Sequence, residues 1–246
     1  MPGARNRDFR IGDSAELLAE LIINSMAFTT RVPRQEDVGY DLLCVLAGLD
    51  NRLLKAGPFF TVQVKGTHEN IIFEKDYEVA WIKQQENPFF ICDANRDALS
   101  VEIFSTWIMH LGFLSMGADK IVLAPGGAED NYQEVQTRED RSEQIIPLGK
   151  PILRITAEDV MDEKRAQGFA SILREWVLMD RTNVVNKHAG MYWVIGPRRW
   201  ETNHPLSTNP NWLGISKRIT VPPSSAWIAK SRPSPPDLAI RREQLG

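Results

Sequence analysis

The feature that most constrains the fold is a pair of neighbouring β-strand patterns, residues 40–47 and 59–65. In the first, every residue after Asp41 is apolar, which is typical of a strand covered on both faces. In the second, apolar side chains alternate with polar ones, so that the two kinds take opposite faces of a sheet. A turn over residues 48–58 would join the two segments, and the sequence therefore predicts an antiparallel hairpin.

Helical and strand periodicities surround this hairpin in a defined order. Asp13 stands where an N-cap is expected, and the apolar residues that follow it recur at helical spacing. The elements predicted for the first part of the chain are a helix over 12–27, a strand over 28–32, the hairpin, a helix over 75–85, and strands over 88–92 and 99–104 around a polar turn at 93–97. This order predicts an α/β (α+β) fold with a mixed central sheet and flanking helices over residues 1–106.

The pattern is weaker in residues 107–195, which we predict to be an α/β extension. Its main element is a long helix over 157–186, with Thr156 and Asp159 at capping-box spacing. The apolar stripe of that helix predicts either packing on the core or a dimer or partner surface. Its other predicted elements are a helix over 107–114, a strand over 120–123, an acidic loop over 128–143 and a strand over 151–155.

Residues 196–246 form a proline-rich basic tail. This segment contains eight of the fifteen prolines, and eight Lys or Arg residues against three acidic ones, although the whole chain has a net charge of -3. Such a composition predicts an extended or partly mobile end. Its basic charge would serve either to contact nucleic acid or to keep that end soluble.

The remaining composition narrows the class of protein. The chain has no signal-peptide pattern or membrane span, and its two cysteines, Cys44 and Cys92, lie in apolar segments without a disulfide framework. Its four histidines lack the spacing of zinc ligands. We therefore expect a cytoplasmic protein without a membrane partner and without a structural zinc site.

The register of the hairpin predicts a small polar site. If the turn is centred near Leu53, Asp41 lies opposite Lys65 and close to Gln63, with directly opposed Cβ atoms roughly 5 Å apart. Mg²⁺ prefers oxygen ligands, which Asp41, Gln63 and the main-chain carbonyl of Val64 could provide. Lys65 could orient or deprotonate a water molecule and offset the charge of a phosphate. Alternatively, the same residues form a solvated hairpin face with an Asp41–Lys65 surface ion pair.

Helix 12–27 could add a fourth member, Glu16. Glu16 and Glu20 lie four residues apart on one helical face, and either could approach the same end of the sheet. However, Asp13 and Glu16 also have the spacing of a capping box, in which Glu16 would only bond back to the amide of the N-cap residue. Both interpretations of Glu16 stay open at this point.

This ordered set of residues resembles the PD-(D/E)XK nuclease superfamily, whose core runs helix, three strands, helix, strand. Asp41 with the Gln63-Val64-Lys65 strand resembles its Q-x-K variant, found in the restriction-like Mrr branch. More narrowly, residues 12–16, 37–41 and 62–65, with Trp81 and residues 87–91 and 99–105, look like domain of unknown function 4365. The resemblance covers roughly the first 105 residues, although Ala15 and Gly66 depart from the family pattern.

The resemblance implies a restriction-endonuclease-like core in which Asp41, Gln63, Lys65 and Glu16 are catalytic. Asp41, Gln63 and Glu16 would hold Mg²⁺ or Mn²⁺, although Gln63 is a weaker ligand than a glutamate. The implied activity is hydrolysis of DNA phosphodiester bonds in bacterial genome defence or restriction. A homodimer, or a partner ATPase or sensor protein, is a further expectation.

Two other functions are consistent with the sequence. The chain could be a nuclease-fold module that binds DNA or a protein within a defence complex and has lost turnover, because Gln63 replaces an acid. It could also be a structural subunit whose long helix near Trp176 makes a dimer or docks a larger effector.

Overall fold

The protein has a mixed α/β fold, and a computed structural model describes residues 7–33, 39–50, 53–66, 69–110, 119–126, 136–137, 143–191, 193–196 and 217–220. Its helices are α1 (Arg7–Ile23), α2 (Asp76–Lys83), α3 (Ala157–Met161) and α4 (Glu163–His188). Its strands are β1 (Ala27–Arg31), β2 (Leu42–Asp50), β3 (Leu53–Lys65), β4 (Ile71–Phe73), β5 (Phe89–Asn95), β6 (Ser100–Ser105), β7 (Lys120–Pro125), β8 (Gln136–Thr137), β9 (Glu143–Gly149), β10 (Leu153–Thr156), β11 (Trp193–Gly196) and β12 (Lys217–Thr220).

Six strands form the main sheet, in the order β1-β2-β3-β5-β6-β10. Strand β3 lies inside this sheet and pairs antiparallel with β2 and parallel with β5, while the other neighbours are antiparallel. Helix α2 lies between β3 and β5 in the chain, as a crossover between parallel strands requires. The prediction of a mixed central sheet with flanking helices is confirmed at this level.

The β2–β3 hairpin is longer and tighter than the sequence suggested. The turn predicted over residues 48–58 is wrong, because Asp50 pairs with Leu53 and both strands continue through most of that segment. The pairing shifts between Val45 and Ala47, a β-bulge next to Gly57, where an added Cβ would lie 2.9 Å from the Leu46 carbonyl oxygen. A bulge tolerates glycine and proline inside an otherwise regular strand, so these residues did not mark the turn.

Helix α1 starts earlier than its sequence pattern indicated. It begins at Arg7, which places Asp13 inside the helix, so the prediction of an N-cap at Asp13 is wrong. The helix packs on β1, β3, β5 and β6 of the main sheet. Its buried side chains are Ala15, Leu18, Ala19, Ile22 and Ile23.

Helix α2 lies where the sequence predicted it. Its residue Trp81 packs against the segment before β2. The Trp81 ring stacks near Tyr40 and Phe73, with centroids 6.5 and 6.0 Å away, and meets Phe89 edge-on at 5.7 Å. Gly39 has a φ of +84°, and an added Cβ there would lie 2.7 Å from the Trp81 ring. Only glycine fits this backbone shape and this close approach.

A second sheet, with the order β4-β7-β9-β8, was not predicted as a unit. The strand predicted over 120–123 is present as β7, and the strand over 151–155 as β10. Parts of the acidic segment 128–143 are strand rather than loop, because β8 and the start of β9 fall within it, and its remainder lies outside the described residues. Strand β9 alternates buried and half-buried side chains but buries the polar Gln144, so its hydrophobic pattern is weak.

The long helix predicted over 157–186 is interrupted at Asp162. Asp162 ends α3 and accepts hydrogen bonds from the amides of Lys164 and Arg165, which caps the start of α4. The Thr156–Asp159 capping box is present as predicted. The apolar stripe of α4 belongs to the core of the chain, and its members are Phe169, Leu173, Trp176 and Val177.

The last part of α4 carries polar side chains that tie separate elements together. The Asn183 amide donates to the Ile195 carbonyl and accepts from the Ile195 amide, at 2.8 and 2.6 Å, as a paired strand would. Asp180 is fully buried, and its Oδ1 lies 2.9 Å from the Nε2 of buried His110. The Lys187 ammonium donates to the carbonyls of Lys83 and Gln85, which anchors the end of α2.

Two of the predictions fall largely outside the described residues. Of the helix predicted over 107–114, residues 109–110 are helical and 111–118 are not described. Of the tail at 196–246, Gly196 ends β11 and β12 pairs antiparallel with it, and the rest is not described. Among the described helices, none is long and apolar enough to cross a membrane.

Because Gly39 lies against Trp81, alanine at this position should affect stability differently from alanine at an open glycine. Gly39→Ala should lower the free energy of unfolding by about 2–4 kcal/mol, because the new Cβ is strained and overlaps the Trp81 ring. Gly168→Ala is the matched control, since an added Cβ at this position in α4 meets no atom within 4 Å. That control should be neutral or stabilising by up to about 1 kcal/mol. Chemical denaturation checks both, and equal effects would contradict the assigned role of Gly39.

The environment of Lys187 predicts a pH dependence of stability. Burial lowers the pKa of Lys187 from 10.5 to about 8, against the raising effects of Asp180 and Glu86. Between these two values the unfolded chain holds a proton that the folded chain has released, so the free energy of unfolding should rise with pH. The Lys187→Met variant should lack this contribution. The free energy of unfolding of both proteins, measured as a function of pH, gives this contribution as the difference between the two curves. Parallel curves would contradict the prediction.

Candidate functional site

Asp41 is bonded directly to the strand that carries Gln63 and Lys65. Its Oδ2 accepts a hydrogen bond of 2.6 Å from the amide of Val64, and its own amide donates to the Val62 carbonyl at 3.0 Å. The carboxylate thus occupies the position of a main-chain acceptor just before β2 begins at Leu42. Since Val64 stands between Gln63 and Lys65, the structure brings Asp41 to this segment of β3.

The register that produces this contact differs from the predicted one. Leu42 pairs with Val62, so Asp41 lies beside residues 62–64 and the prediction that it lies opposite Lys65 is wrong. The hairpin tip lies between Asp50 and Leu53 and not at Leu53, which shifts the pairing of the two strands from the predicted one. The bulge moves the pairing back by only one residue, so the shift persists at Asp41. The site is still formed because the Asp41 side chain reaches along the edge of β3.

Gln63 and Lys65 occupy the face of β3 opposite to Val62 and Val64, as the alternation predicted. Across the parallel pair with β5, Gln63 lies beside Ile91 and Lys65 beside Asp93. Both side chains are half-buried, but the Oε1 atom of Gln63 is fully buried and has no hydrogen-bond partner among the described residues. A buried acceptor without a partner is uncommon in folded proteins. A cation or a donating group next to Gln63 would satisfy it.

Helix α1 brings Glu16 to the same end of the sheet. Ala15 is buried, and a Cβ placed on Gly66 would lie 3.9 Å from the Ala15 Cβ. Ala15, which precedes Glu16 in α1, therefore lies next to Gly66, which follows Lys65 in the chain. Because Asp13 lies inside α1, the capping-box interpretation of Glu16 is wrong. Glu16 is half-buried and stays a candidate member of the site.

The donor set is suited to a hard divalent cation. Asp41 supplies a carboxylate, Gln63 supplies the unpartnered amide oxygen, and Val64 has a main-chain carbonyl, while Glu16 is a candidate for a second carboxylate. Such oxygens suit Mg²⁺ or Mn²⁺ better than softer metals. Among the described residues, no group of three or more His, Cys, Asp or Glu side chains is arranged to hold a metal. A cation here would therefore rely on the Gln63 amide as well as on carboxylates.

Sequence reasoning missed Asp93, which belongs to the same part of the structure. The polar turn predicted over 93–97 is wrong in its first part, because β5 continues to Asn95 and buries Asp93. Burial, followed by the charge of Asp93, raises the pKa of the neighbouring Cys92 thiol. An acid directly after the apolar run Phe-Phe-Ile-Cys, and followed by Ala94, was the available signal. Three polar residues follow within four positions, and this pattern favours a turn.

Both cysteines near the site are core residues. Burial raises the pKa of the Cys44 thiol to about 12, and Cys92 is completely buried beside it. A thiol that stays protonated in this way is a poor nucleophile. The chemistry of this site therefore rests on its oxygen donors and on Lys65.

Comparison of the chain with protein-family models, with curated proteins and with solved structures found no match.

The bond from Val64 to Asp41 predicts different effects of two substitutions. Asp41→Ala leaves the Val64 amide without this acceptor, so the free energy of unfolding should fall by about 1–3 kcal/mol. Asp41→Asn keeps a side-chain oxygen that can accept the same bond and should lose less than about 1 kcal/mol. Urea denaturation of both variants checks this. If alanine were tolerated as well as asparagine, the carboxylate would not support β3.

Proposed function

We propose that this chain is a metal-dependent nuclease of the PD-(D/E)XK type that hydrolyses DNA phosphodiester bonds. The observation that carries the proposal is the 2.6 Å bond from Val64 to the Asp41 carboxylate, which joins that acid to the Gln63-Val64-Lys65 strand. The unpartnered Oε1 of Gln63 supports it, because this atom could serve as a metal ligand.

The topology also supports a restriction-endonuclease-like core. Strands β1, β2 and β3 form an antiparallel meander, α2 follows, and β5 returns parallel to β3. Helix α1 precedes them and packs on the sheet. The short strand β4, inserted between β3 and α2, pairs with the second sheet and leaves this arrangement unchanged.

In the proposed reaction, water attacks the phosphorus, a P–O ester bond breaks, and the departing oxygen takes up a proton. When bound, Mg²⁺ or Mn²⁺ would polarise a phosphoryl oxygen and make the attacking water more acidic. Asp41, Gln63 and Glu16 would hold the cation, and the Val64 amide fixes Asp41 in place. Lys65 would orient the water and balance the negative charge of the phosphate.

Gln63 favours one alternative function. A neutral amide binds a divalent cation more weakly than a carboxylate does, so the chain could bind DNA or a partner protein without turnover. In that case DNA binding should survive Asp41→Asn and should not depend on Mg²⁺. We place either function in bacterial genome defence, which the family resemblance implies, together with a homodimer or a partner ATPase or sensor.

A cleavage assay tests the proposed activity. Plasmid and single-stranded circular DNA incubated with Mg²⁺ or Mn²⁺ should be nicked or cut by the parent. Asp41→Asn and Lys65→Met should each lower the rate by about 100-fold or more, since each removes a group that would act on the phosphate or the cation. Lys164→Met, which changes an exposed lysine on α4, is the control and should cut like the parent. A parent that cuts no DNA, or a fully active Lys65→Met, would falsify the proposal.

Replacement of Gln63 by glutamate tests whether this residue is a metal ligand, because the change should improve binding and activity. Gln63→Glu should tighten Mg²⁺ binding in calorimetry by about tenfold and raise the cleavage rate, because a carboxylate replaces the amide as ligand. Gln167→Glu makes the same change on an exposed part of α4, beside Glu163, and controls for an added surface carboxylate, so it should not raise the cleavage rate. If Gln63→Glu leaves Mg²⁺ affinity unchanged, Gln63 is not a metal ligand.

A further inference from the structure

Two phenylalanine side chains on the main sheet are exposed to solvent. Phe28 on β1 is 45 % exposed, and Phe59 on β3 is 50 % exposed. The other phenylalanines whose side chains the structure describes are all buried, and they are Phe60, Phe73, Phe89, Phe90, Phe104 and Phe169. An exposed phenyl ring forgoes the stabilisation that its burial would give. These two rings are therefore candidates for contact with a ligand.

The register of the sheet places both rings in one row. Phe28 pairs with Val45, and Val45 pairs with Phe59, so the three side chains project from the same face and form the phenylalanine row. Neighbouring strands lie about 4.8 Å apart, which separates the two rings by about 10 Å with half-buried Val45 between them. Side chains alternate along β3, so Phe59 also shares its face with Gln63 and Lys65.

Strand β2 connects the phenylalanine row with the candidate site. Asp41, Leu43 and Val45 are alternate residues, and all three are half-buried, whereas the residues between them are buried. At about 3.3 Å per residue, Asp41 lies about 13 Å from Val45. On β3 the same path is closed, because Thr61, two residues after Phe59, is buried. A ligand on the row can therefore extend along β2 to the site.

The size of the row favours small flat groups over a protein surface. A phenylalanine side chain buries about 150–250 Å² when it is fully covered, so two half-exposed rings offer about 200 Å². A stable protein interface covers about 800 Å² on each partner. Nucleic-acid bases are flat rings that stack on aromatic side chains whatever their sequence. Two rings in one row can hold two such bases.

The edge of the sheet beside Phe28 is partly closed to a second copy of the chain. Strand β1 is an edge strand of the main sheet, and such strands can pair with another chain. However, the amide of Thr29, in the middle of β1, already donates to the Asn24 side chain at 3.4 Å. Strand addition would have to displace this bond. The open row is thus a better site for bases than for a second sheet.

We propose that the phenylalanine row binds single-stranded DNA by base stacking and leads the strand to the neighbouring site. The inference rests on the proposed function, because it takes DNA as the ligand. One base lies on the Phe28 ring and another on the Phe59 ring, and the backbone continues along β2 towards Asp41. A duplex keeps its base faces inside its own stack, so it cannot occupy the row. Phe28 and Phe59 are binding residues, and neither takes part in the chemistry.

Binding in the absence of a metal tests the row separately from the nuclease activity. The full-length parent in EDTA is titrated with fluorescein-labelled oligo-dT, and with the same strand annealed to oligo-dA. Physiological salt is used because it weakens contacts that involve only phosphates. The single strand should bind at least about tenfold more tightly than the duplex, since only its bases are free to stack.

Three substitutions assign this binding to the two rings. Phe28→Leu and Phe59→Leu keep an apolar side chain but remove the flat ring, so each should weaken binding of oligo-dT by about tenfold. Phe59→Tyr keeps the ring and should bind like the parent. Tyr77→Leu removes an exposed aromatic ring on α2, outside the row, and is the control that should change nothing. Circular dichroism verifies that each variant is folded.

A photochemical cross-link locates the bases without any substitution. Oligo-dT that carries 5-iodouracil is irradiated on the parent protein, and the attached peptides are identified by mass spectrometry. The cross-links should fall on the peptides that contain Phe28 and Phe59. Cross-links confined to other peptides would place the strand elsewhere and overturn the proposal.

Each remaining result decides for or against the row. Equal affinity for single strand and duplex overturns it, as does binding that neither leucine variant weakens. A parent that sediments as a dimer, with Phe28→Leu as a monomer, would show that a second copy covers the row instead. Stacking that depends on both rings, in a protein that cuts no DNA, sustains the row and removes the nuclease. Conversely, a parent that cuts DNA but does not bind oligo-dT removes the row and leaves the nuclease.

Discussion

The structure depends on strand β3, whose main chain is hydrogen-bonded on both sides. It pairs antiparallel with β2 and parallel with β5, and it is the longest described strand, with 13 residues. An interior strand has to satisfy every amide and carbonyl along its length, because an unpaired group there loses its hydrogen bonds to water. Near the end of β3, where β2 has not yet begun, a side chain does this, since Asp41 accepts from Val64. A structural requirement of the sheet thereby places a carboxylate beside Gln63 and Lys65.

Three helices support the contact between Asp41 and the end of β3. Helix α1 packs on the sheet through a small residue, Ala15, next to Gly66. Helix α2 fixes the segment before Asp41 by placing Trp81 on Gly39. Helix α4 in turn anchors the end of α2, through the two hydrogen bonds that Lys187 donates. The described part of the chain after residue 106 therefore supports the candidate site from behind, through α4 and α2.

The register of the main sheet also places an acid beside Lys65. Lys65 on β3 pairs with Asp93 on β5, and Asp93 is buried. The proposed site at Asp41 and Gln63 and the end of β5 are therefore neighbours in the sheet, although Asp93 lies 52 residues after Asp41 in the chain.

The amino-acid sequence alone predicted the order of elements in the first hundred residues, apart from the short strand β4, and the polar alternation of β3. These are local properties, since a continuous apolar run and a polar–apolar alternation can each be recognised in the residues of the strand itself. It also identified Asp41, Gln63, Lys65 and Glu16 as one candidate set, and the structure brings Asp41 to the Gln63–Lys65 segment and Glu16 to the same end of the sheet.

The register of the hairpin, the second sheet and the position of Asp93 became clear only from the folded structure. The register depends on a bulge and on a tight turn, and a shift of one or two residues leaves the all-apolar run 42–47 almost unchanged. In the structure one face of this strand, with Leu43 and Val45, is only half-buried, so the prediction that β2 is covered on both faces is wrong. The sequence pattern did not indicate β9 or the burial of Asp93, because both strands contain a buried polar residue. This residue is Gln144 in β9 and Asp93 itself in β5. Burial of a polar group depends on partners that are distant in sequence, and no local pattern records them.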